Sequence, residues 1–169
     1  MPPVITFIGW HNSGKTTLTR EVVSHLKAKG YRVAVIKSTK ETGLDNEQSG
    51  TDTARYRQSG ADAVALAAPD LLTIKRLPLD MELKALAHFL FPEVDIVIGE
   101  GFKKAADVAK IEVRRDPESP CIYQEVEGVI AVASDLPTNG PRRFGLKQSH
   151  ALAEFIEQLL LSDHSKTAR

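Results

Sequence analysis

The chain has 169 residues, 42% of them apolar, with 22 Lys+Arg balanced by 22 Asp+Glu, a length that suits one domain burying roughly 70% of its unfolded surface. Zero net charge speaks against a broad surface for nucleic acid or an anionic membrane, while leaving room for a small local anion site. A single cysteine, Cys121, excludes an internal disulfide and a cysteine-rich zinc site, and without a secretory signal or a run of ~20 apolar residues the expectation is a soluble, cytoplasmic protein.

In chain order, Val4 to Ile8 is a short apolar, β-branched run bounded by Gly9 and reads as a buried strand. Thr16 to Lys29 has helical periodicity, with Leu18, Val22, Val23 and Leu26 on one face and Gly30 as its stop. Tyr31 to Ile36 returns to strand character, so a parallel, right-handed strand–helix–strand unit is predicted. Lys37 to Gly50 reads as a long polar loop, and loops of that length are often functional. A short helix over Thr51 to Ser59 precedes two apolar runs, Ala61 to Ala67 and Leu71 to Leu77, split by Ala68-Pro69-Asp70 as in a hairpin.

Met81 to Phe91 is helical and stops at Pro92. Val94 to Ile98 is a further strand, ending at Gly99-Glu100-Gly101. Lys110 to Arg114 alternates polar and apolar residues as a half-exposed strand does. Val129 to Ala133 is a buried strand, Pro137 to Gly145 a Pro/Gly-rich loop, and Ser149 a candidate cap for a last helix ending near Leu161. No repeat or linker divides the chain, so residues 1–161 are read as one domain and 162–169 as a disordered tail.

Gly9-Trp10-His11-Asn12-Ser13-Gly14-Lys15-Thr16 matches the phosphate-loop pattern G-x-x-x-x-G-K-[ST] between a predicted strand and a predicted helix. Glycines let successive amide N–H groups curl toward one anion, and the helix adds its positive end. In this pattern Lys15 reaches the β- and γ-phosphates, Thr16 offers a hydroxyl to Mg²⁺, and Thr17 adds a contact to the α-phosphate. His11 presents backbone and is not read as a general base.

A carboxylate for the metal is expected at a neighbouring strand's carboxyl end, where open α/β sheets bind ligands. Glu100 meets that condition; Asp95, at the other end of its strand, does not. Asp52 has two readings, a helix-terminal residue favoured by the dipole or a metal or water contact from a switch-like loop.

Gly9 to Leu18, Val35-Ile36-Lys37, Gly50-Thr51-Asp52-Thr53 with Ser59-Gly60-Ala61, Gly99-Glu100-Gly101-Phe102-Lys103, Lys110-Ile111-Glu112-Val113 and Ala131 to Asp135 together resemble the MobB family of molybdopterin-guanine dinucleotide biosynthesis. The likeness runs from about Val4 to Leu161. It implies an α/β fold of the P-loop NTPase type, a three-layer sandwich with a mostly parallel sheet and an added antiparallel hairpin. It further implies GTP and Mg²⁺ as ligands, weak GTPase activity and a homodimer. The role it implies is that of an accessory protein working beside the guanylyltransferase MobA, with contact to molybdopterin-bound enzymes. The chain departs from the family at Ser38, where a histidine is frequent, and at Thr51, which replaces a lysine.

On these grounds Lys15, Glu100 and Asp52 are the expected catalytic residues, and Thr16, Glu100 and Asp52 the metal ligands. Gly9, His11, Asn12, Ser13, Gly14, Lys15, Thr16, Thr17, Ser134 and Asp135 are the expected nucleotide contacts. Asp135 either accepts from guanine N1–H and its amine or begins the turn into Pro137. Lys37 either meets phosphate or is a solvated strand end; Lys103, Lys104, Arg114 and Arg115 either form a basic rim for a pterin phosphate or are merely exposed. Trp10 either packs against a partner copy or lines the site.

Hydrolysis of GTP at the β–γ bond would be slow, because no arginine finger is apparent and such a finger is worth ~10³–10⁵ in rate. Rival readings are an ATP-dependent small-molecule kinase, with Arg142-Arg143 as the only faint lid candidate, a metal-delivery GTPase, and a nucleotide-switched adaptor. Five scattered histidines argue against metal delivery.

Overall fold

β1 (Val4–Ile8) is buried along its whole length, as a continuous apolar run is when a parallel sheet has both faces covered. The computed structural model describes residues 1–45 and 49–167, with side chains as far as residue 161. It divides into two units, one of residues 1–39 and 81–169 and one of residues 40–80.

In the larger unit α1 (Lys15–Ala28) follows β1 and leads to β2 (Val33–Lys37). After the excursion to the smaller unit come α3 (Leu83–Leu90), β5 (Ile96–Glu100), β6 (Ala109–Val113), β7 (Val129–Ala133), β8 (Arg142–Phe144) and α4 (Ser149–Thr167). The strands form one sheet in the order β2-β5-β1-β6-β7-β8, with every pairing parallel. α1 and α4 pack on one face through Leu18, Val22, Leu26, Leu152, Ile156 and Leu160, against Ile5, Phe7, Ile98 and Ile111. α3 covers part of the other face, where Leu83 and Ala87 meet Val4, Ala34 and Val97. The expected three-layer α/β architecture is present.

The smaller unit holds α2 (Asp52–Gln58) and the hairpin of β3 (Ala63–Ala67) and β4 (Leu72–Arg76). Thr51 caps α2, its Oγ1 accepting from the Ala54 N–H at 3.2 Å. The hairpin is antiparallel with Ala65 opposite Ile74, as the split apolar runs predict. Asp45 pairs with Arg57 and, at 2.7 Å, with Lys75. Residues 46–48 of the long loop lie outside the described residues.

Several local expectations are corrected. β6 is not half-exposed: Lys110 and Glu112 are buried together with Ile111 and Val113. Their polar ends are satisfied by backbone, Lys110 Nζ donating to the carbonyls of Val108 and Glu127. Glu112 accepts from the amides of Ile122 and Tyr123, at 2.9 Å each. Those two residues open a single 3-10 turn, Ile122–Gln124, which sequence patterning does not reveal.

β8 lies inside the segment read as a Pro/Gly loop, and Arg142 packs over Phe144 and Phe155. Ser149 is the first helical residue of α4, and its hydroxyl faces His25 Nε2 at 3.3 Å. No Gly or Pro stops α4 at Leu161, and the helix carries on to Thr167.

Candidate functional site

The carboxyl ends of β1 and β5 and the start of α1 converge on the Gly9–Thr16 loop. Gly9 is required by close approach: a Cβ there would lie 2.4 Å from the Val113 carbonyl oxygen and 2.6 Å from Ser13 Oγ. Asn12 (φ 58°) and Gly14 (φ 92°) adopt left-handed conformations that curl the loop into the helix. His11 and Asn12 are exposed and Ser13 is buried. Lys15 folds back over the loop, donating to the carbonyls of Trp10 (2.7 Å) and Gly9 (3.2 Å) and lying 3.4 Å from Ser13 Oγ.

Glu100 closes the opposite side. β5 runs two residues further than the sequence pattern predicts, so Glu100 is its last strand residue rather than the first beyond it. Parallel register sets it beside Phe7 of β1 and Lys37 of β2. Thr16 Oγ1 donates to Glu100 Oε1 at 2.7 Å, and Lys37 Nζ lies 3.4 Å from the same oxygen. Asp95, by contrast, sits before β5 and pairs with Arg32 at 2.8 Å.

The Lys15 ammonium is held below the usual lysine range, chiefly by burial. Glu100 opposes that shift, while Lys103 and Lys37 add to it. Thus three lysines and one buried carboxylate share the mouth of the loop. Lys103 Nζ stands 3.5 Å above the Trp10 ring, and Trp10 donates from Nε1 to the Pro120 carbonyl at 2.9 Å.

A cavity of about 440 Å³ opens on the other flank, lined by Thr17, Glu21, Arg115, Asp135, Leu136, Leu146 and Lys147. Thr17 and Asp135 thus line the same cavity. Asp135 is exposed, with Oδ1 accepting from the Leu146 N–H at 2.9 Å; Ser134 is buried, its Oγ accepting from the Leu136 N–H.

The four basic residues read as a rim separate into different roles. Arg114 is committed to the following loop, bonding the carbonyls of Pro117 and Ser119. Arg115 instead stands against the phosphate loop, its guanidinium 3.1 Å from where a Cβ on Gly14 would lie. Lys104 is exposed. Asp52 lies in the smaller unit, in the first turn of α2, 3.4 Å from Arg55; that is the helix-terminal arrangement.

The profile of the MobB family, molybdopterin guanine dinucleotide synthesis protein B, matches residues 4–135. The chain belongs to the MobB family. A molybdopterin-guanine dinucleotide biosynthesis adapter protein of Escherichia coli K12 is 34% identical over 166 residues, 92% of each chain. One from Haemophilus influenzae is 30% identical, covering 96% of this chain and 92% of its own. A crystal structure of molybdopterin-guanine biosynthesis protein B has a TM-score of 0.74 at 29% identity, covering 93% of this chain and 98% of that one. A MobB homologue from Bacillus stearothermophilus, at 22% identity and a TM-score of 0.69, shares the fold. MobB relatives are thus matched across the strand that supplies Glu100 as well as across the phosphate loop.

Among the described residues no helix is long and apolar enough to cross a membrane, and no group of three or more His, Cys, Asp or Glu is arranged to hold a metal.

Proposed function

We propose that this MobB protein binds GTP with Mg²⁺ and serves as an accessory protein in molybdopterin-guanine dinucleotide biosynthesis, hydrolysing GTP slowly. The observation that carries the reading is the 2.7 Å bond from Thr16 Oγ1 to Glu100 Oε1. It sets two hard oxygen donors side by side at the end of a phosphate loop. That donor set fits Mg²⁺, which takes one or two protein oxygens and fills the remaining positions with water and phosphate. Such an ion supplies charge neutralisation on the transferring phosphoryl group.

The chain's own groups do the rest. Lys15 exchanges its hydrogen bonds to the loop carbonyls for phosphate oxygens, and the amides from Ser13 to Thr17 cradle the phosphates at the positive end of α1. Lys37, paired with Glu100, adds a cation on the γ-phosphate side. Asp135 lines the flanking cavity with one carboxylate oxygen engaged by Leu146, leaving the other for guanine. Slow turnover is expected, since among the described residues none is placed to orient an attacking water.

The relatives' names supply the adapter role, and the partner is the guanylyltransferase MobA. A second copy of the chain is proposed at the hairpin of the smaller unit, where Leu66, Leu72 and Ile74 are more than half exposed. An isolated two-stranded hairpin is marginal in water and gains stability from such a cover. Light scattering should give a dimer mass, and Ile74→Asp should shift it toward the monomer; a wild-type monomer at all concentrations defeats that part.

The deciding experiment is a calorimetric titration of GTP against ATP with Mg²⁺, with and without a molybdopterin-loaded guanylyltransferase. Tighter binding of GTP is expected, with Asp135→Asn narrowing the gap. Preference for ATP in both conditions, with phosphate transferred to a metabolite, would favour a kinase instead.

A further inference from the structure

We infer that Arg115 is a phosphate-binding residue acting on the diphosphate portion of the nucleotide, away from the γ-phosphoryl group. This rests on the reading of the loop as a GTP site. β6 pairs with β1 so that Ile8 lies opposite Glu112, and the residues that follow each strand therefore run side by side. Val113 touches Gly9 and Arg115 reaches Gly14. Position 14 has no side chain, and the Arg115 guanidinium occupies the space next to it, over the last loop residue before α1.

Its neighbour shows what an engaged arginine looks like here. Arg114 is tied to the carbonyls of Pro117 and Ser119. Among the described residues, Arg115 has no hydrogen bond or ion pair. Glu21 and Asp135 line the same cavity, yet neither pairs with it. An exposed cation held against a loop built for phosphate, with no partner among the described residues, is positioned for a ligand's anion. A guanidinium presents a planar fork of donors matched to phosphate oxygens.

Position along the loop selects which phosphate. Thr16, Glu100 and Lys37 are gathered on one side of it. Arg115 shares its cavity with Thr17 and Asp135, the α-phosphate and base contacts. A contact on that side is present in GTP and in GDP equally, before and after hydrolysis, so it contributes uniform binding and no transition-state stabilisation.

The test compares wild type, Arg115→Ala and Arg115→Lys by calorimetry with GTP and with GDP in the presence of Mg²⁺, together with steady-state hydrolysis. Arg115→Ala should raise both dissociation constants by the same factor, about ten- to a hundredfold for a lost charge-assisted contact. Arg115→Lys should recover part of that, and the loss in hydrolysis should fall on KM rather than on kcat. Unchanged affinities in Arg115→Ala would overturn the assignment. So would a fall in kcat with GDP affinity intact, which places the guanidinium on the γ-phosphate. A wild-type protein that binds neither nucleotide removes the GTP reading itself, and the role of Arg115 with it.

Discussion

Thr16 and Glu100 are 84 residues apart, yet the hydroxyl of one donates to the carboxylate of the other at 2.7 Å. The bond ties the first turn of α1 to the last residue of β5 and defines the proposed metal-binding edge. Glu100→Gln keeps the size and an acceptor for Thr16 while removing the charge that faces Lys37 and a cation. Affinity for GTP measured with Mg²⁺ should fall about ten- to a hundredfold, the range for a lost charged contact, whereas affinity measured in EDTA should change little. Equal losses in both conditions would assign Glu100 to loop support and not to the metal.

Gly9 packs its Cα against the Val113 carbonyl with no room for a methyl group. Gly9→Ala should therefore strain the junction of β1 and β6 and lower stability by about 1–3 kcal/mol, as overpacking at a closed site does. Chemical denaturation reads this directly. Gly30, where a Cβ meets nothing within 4 Å but φ is +92°, provides a contrast. Its alanine variant suffers from backbone conformation alone and should lose less, about 1 kcal/mol.

The lowered pKa of Lys15 has a consequence for ligand binding. Phosphate needs the ammonium form and, once bound, favours it, so binding draws in a proton once the pH approaches the depressed pKa of the free protein. Affinity for GTP should thus fall as pH rises, starting below the range of an ordinary lysine. Calorimetry in buffers of different ionisation enthalpy measures the proton uptake. Lys15→Arg, whose guanidinium does not titrate, should abolish that component while leaving any titration of guanine itself.

Much of this was legible in the residues. The phosphate loop, Glu100 at a strand's carboxyl end and the Ala61–Leu77 hairpin all follow from local chemistry, because each is encoded within a few consecutive residues. β6 misleads because Lys110 and Glu112 give it the alternation of an exposed strand. What they bond, carbonyls near Val108 and Glu127 and amides at Ile122 and Tyr123, comes from segments that only the fold brings there. β8 has three residues, two of them arginines, and gains its place from β7 rather than from its own propensity. The difference between Arg114 and Arg115 depends on strand register, which neighbouring identical residues cannot disclose.

Glu112 offers a test of that buried chemistry. Its carboxylate is fully buried and accepts two backbone N–H bonds, at 2.9 Å from Ile122 and from Tyr123. Glu112→Ala leaves both donors without an acceptor and opens space beside β6, so a loss of about 2–5 kcal/mol is expected. Glu112→Gln preserves one acceptor oxygen and should cost less. Hydrogen exchange should localise the effect, with the amides of Ile122 and Tyr123 losing protection before those of β1. Uniform loss of protection across the sheet would mean that Glu112 holds the whole fold and not this turn.

The contact between α1 and α4 should respond to acid. Glu157 on α4 bonds both Lys29, just past the end of α1, and Tyr31. The hydrogen bond from Lys29 holds the Glu157 carboxyl below the usual carboxylate range, and that from Tyr31 adds to it. A carboxyl group whose pKa is lower in the folded chain stabilises the fold above its unfolded pKa of about 4.3, and that contribution disappears as pH falls through the lower, folded value. The stability lost as pH falls below the unfolded pKa of about 4.3 should therefore be smaller in Glu157→Gln than in wild type. Because the pair is at the surface, the difference should also shrink in high salt. A Glu157→Gln protein with the full wild-type slope in that window would show that the carboxylate is no better held in the folded chain than in the unfolded one.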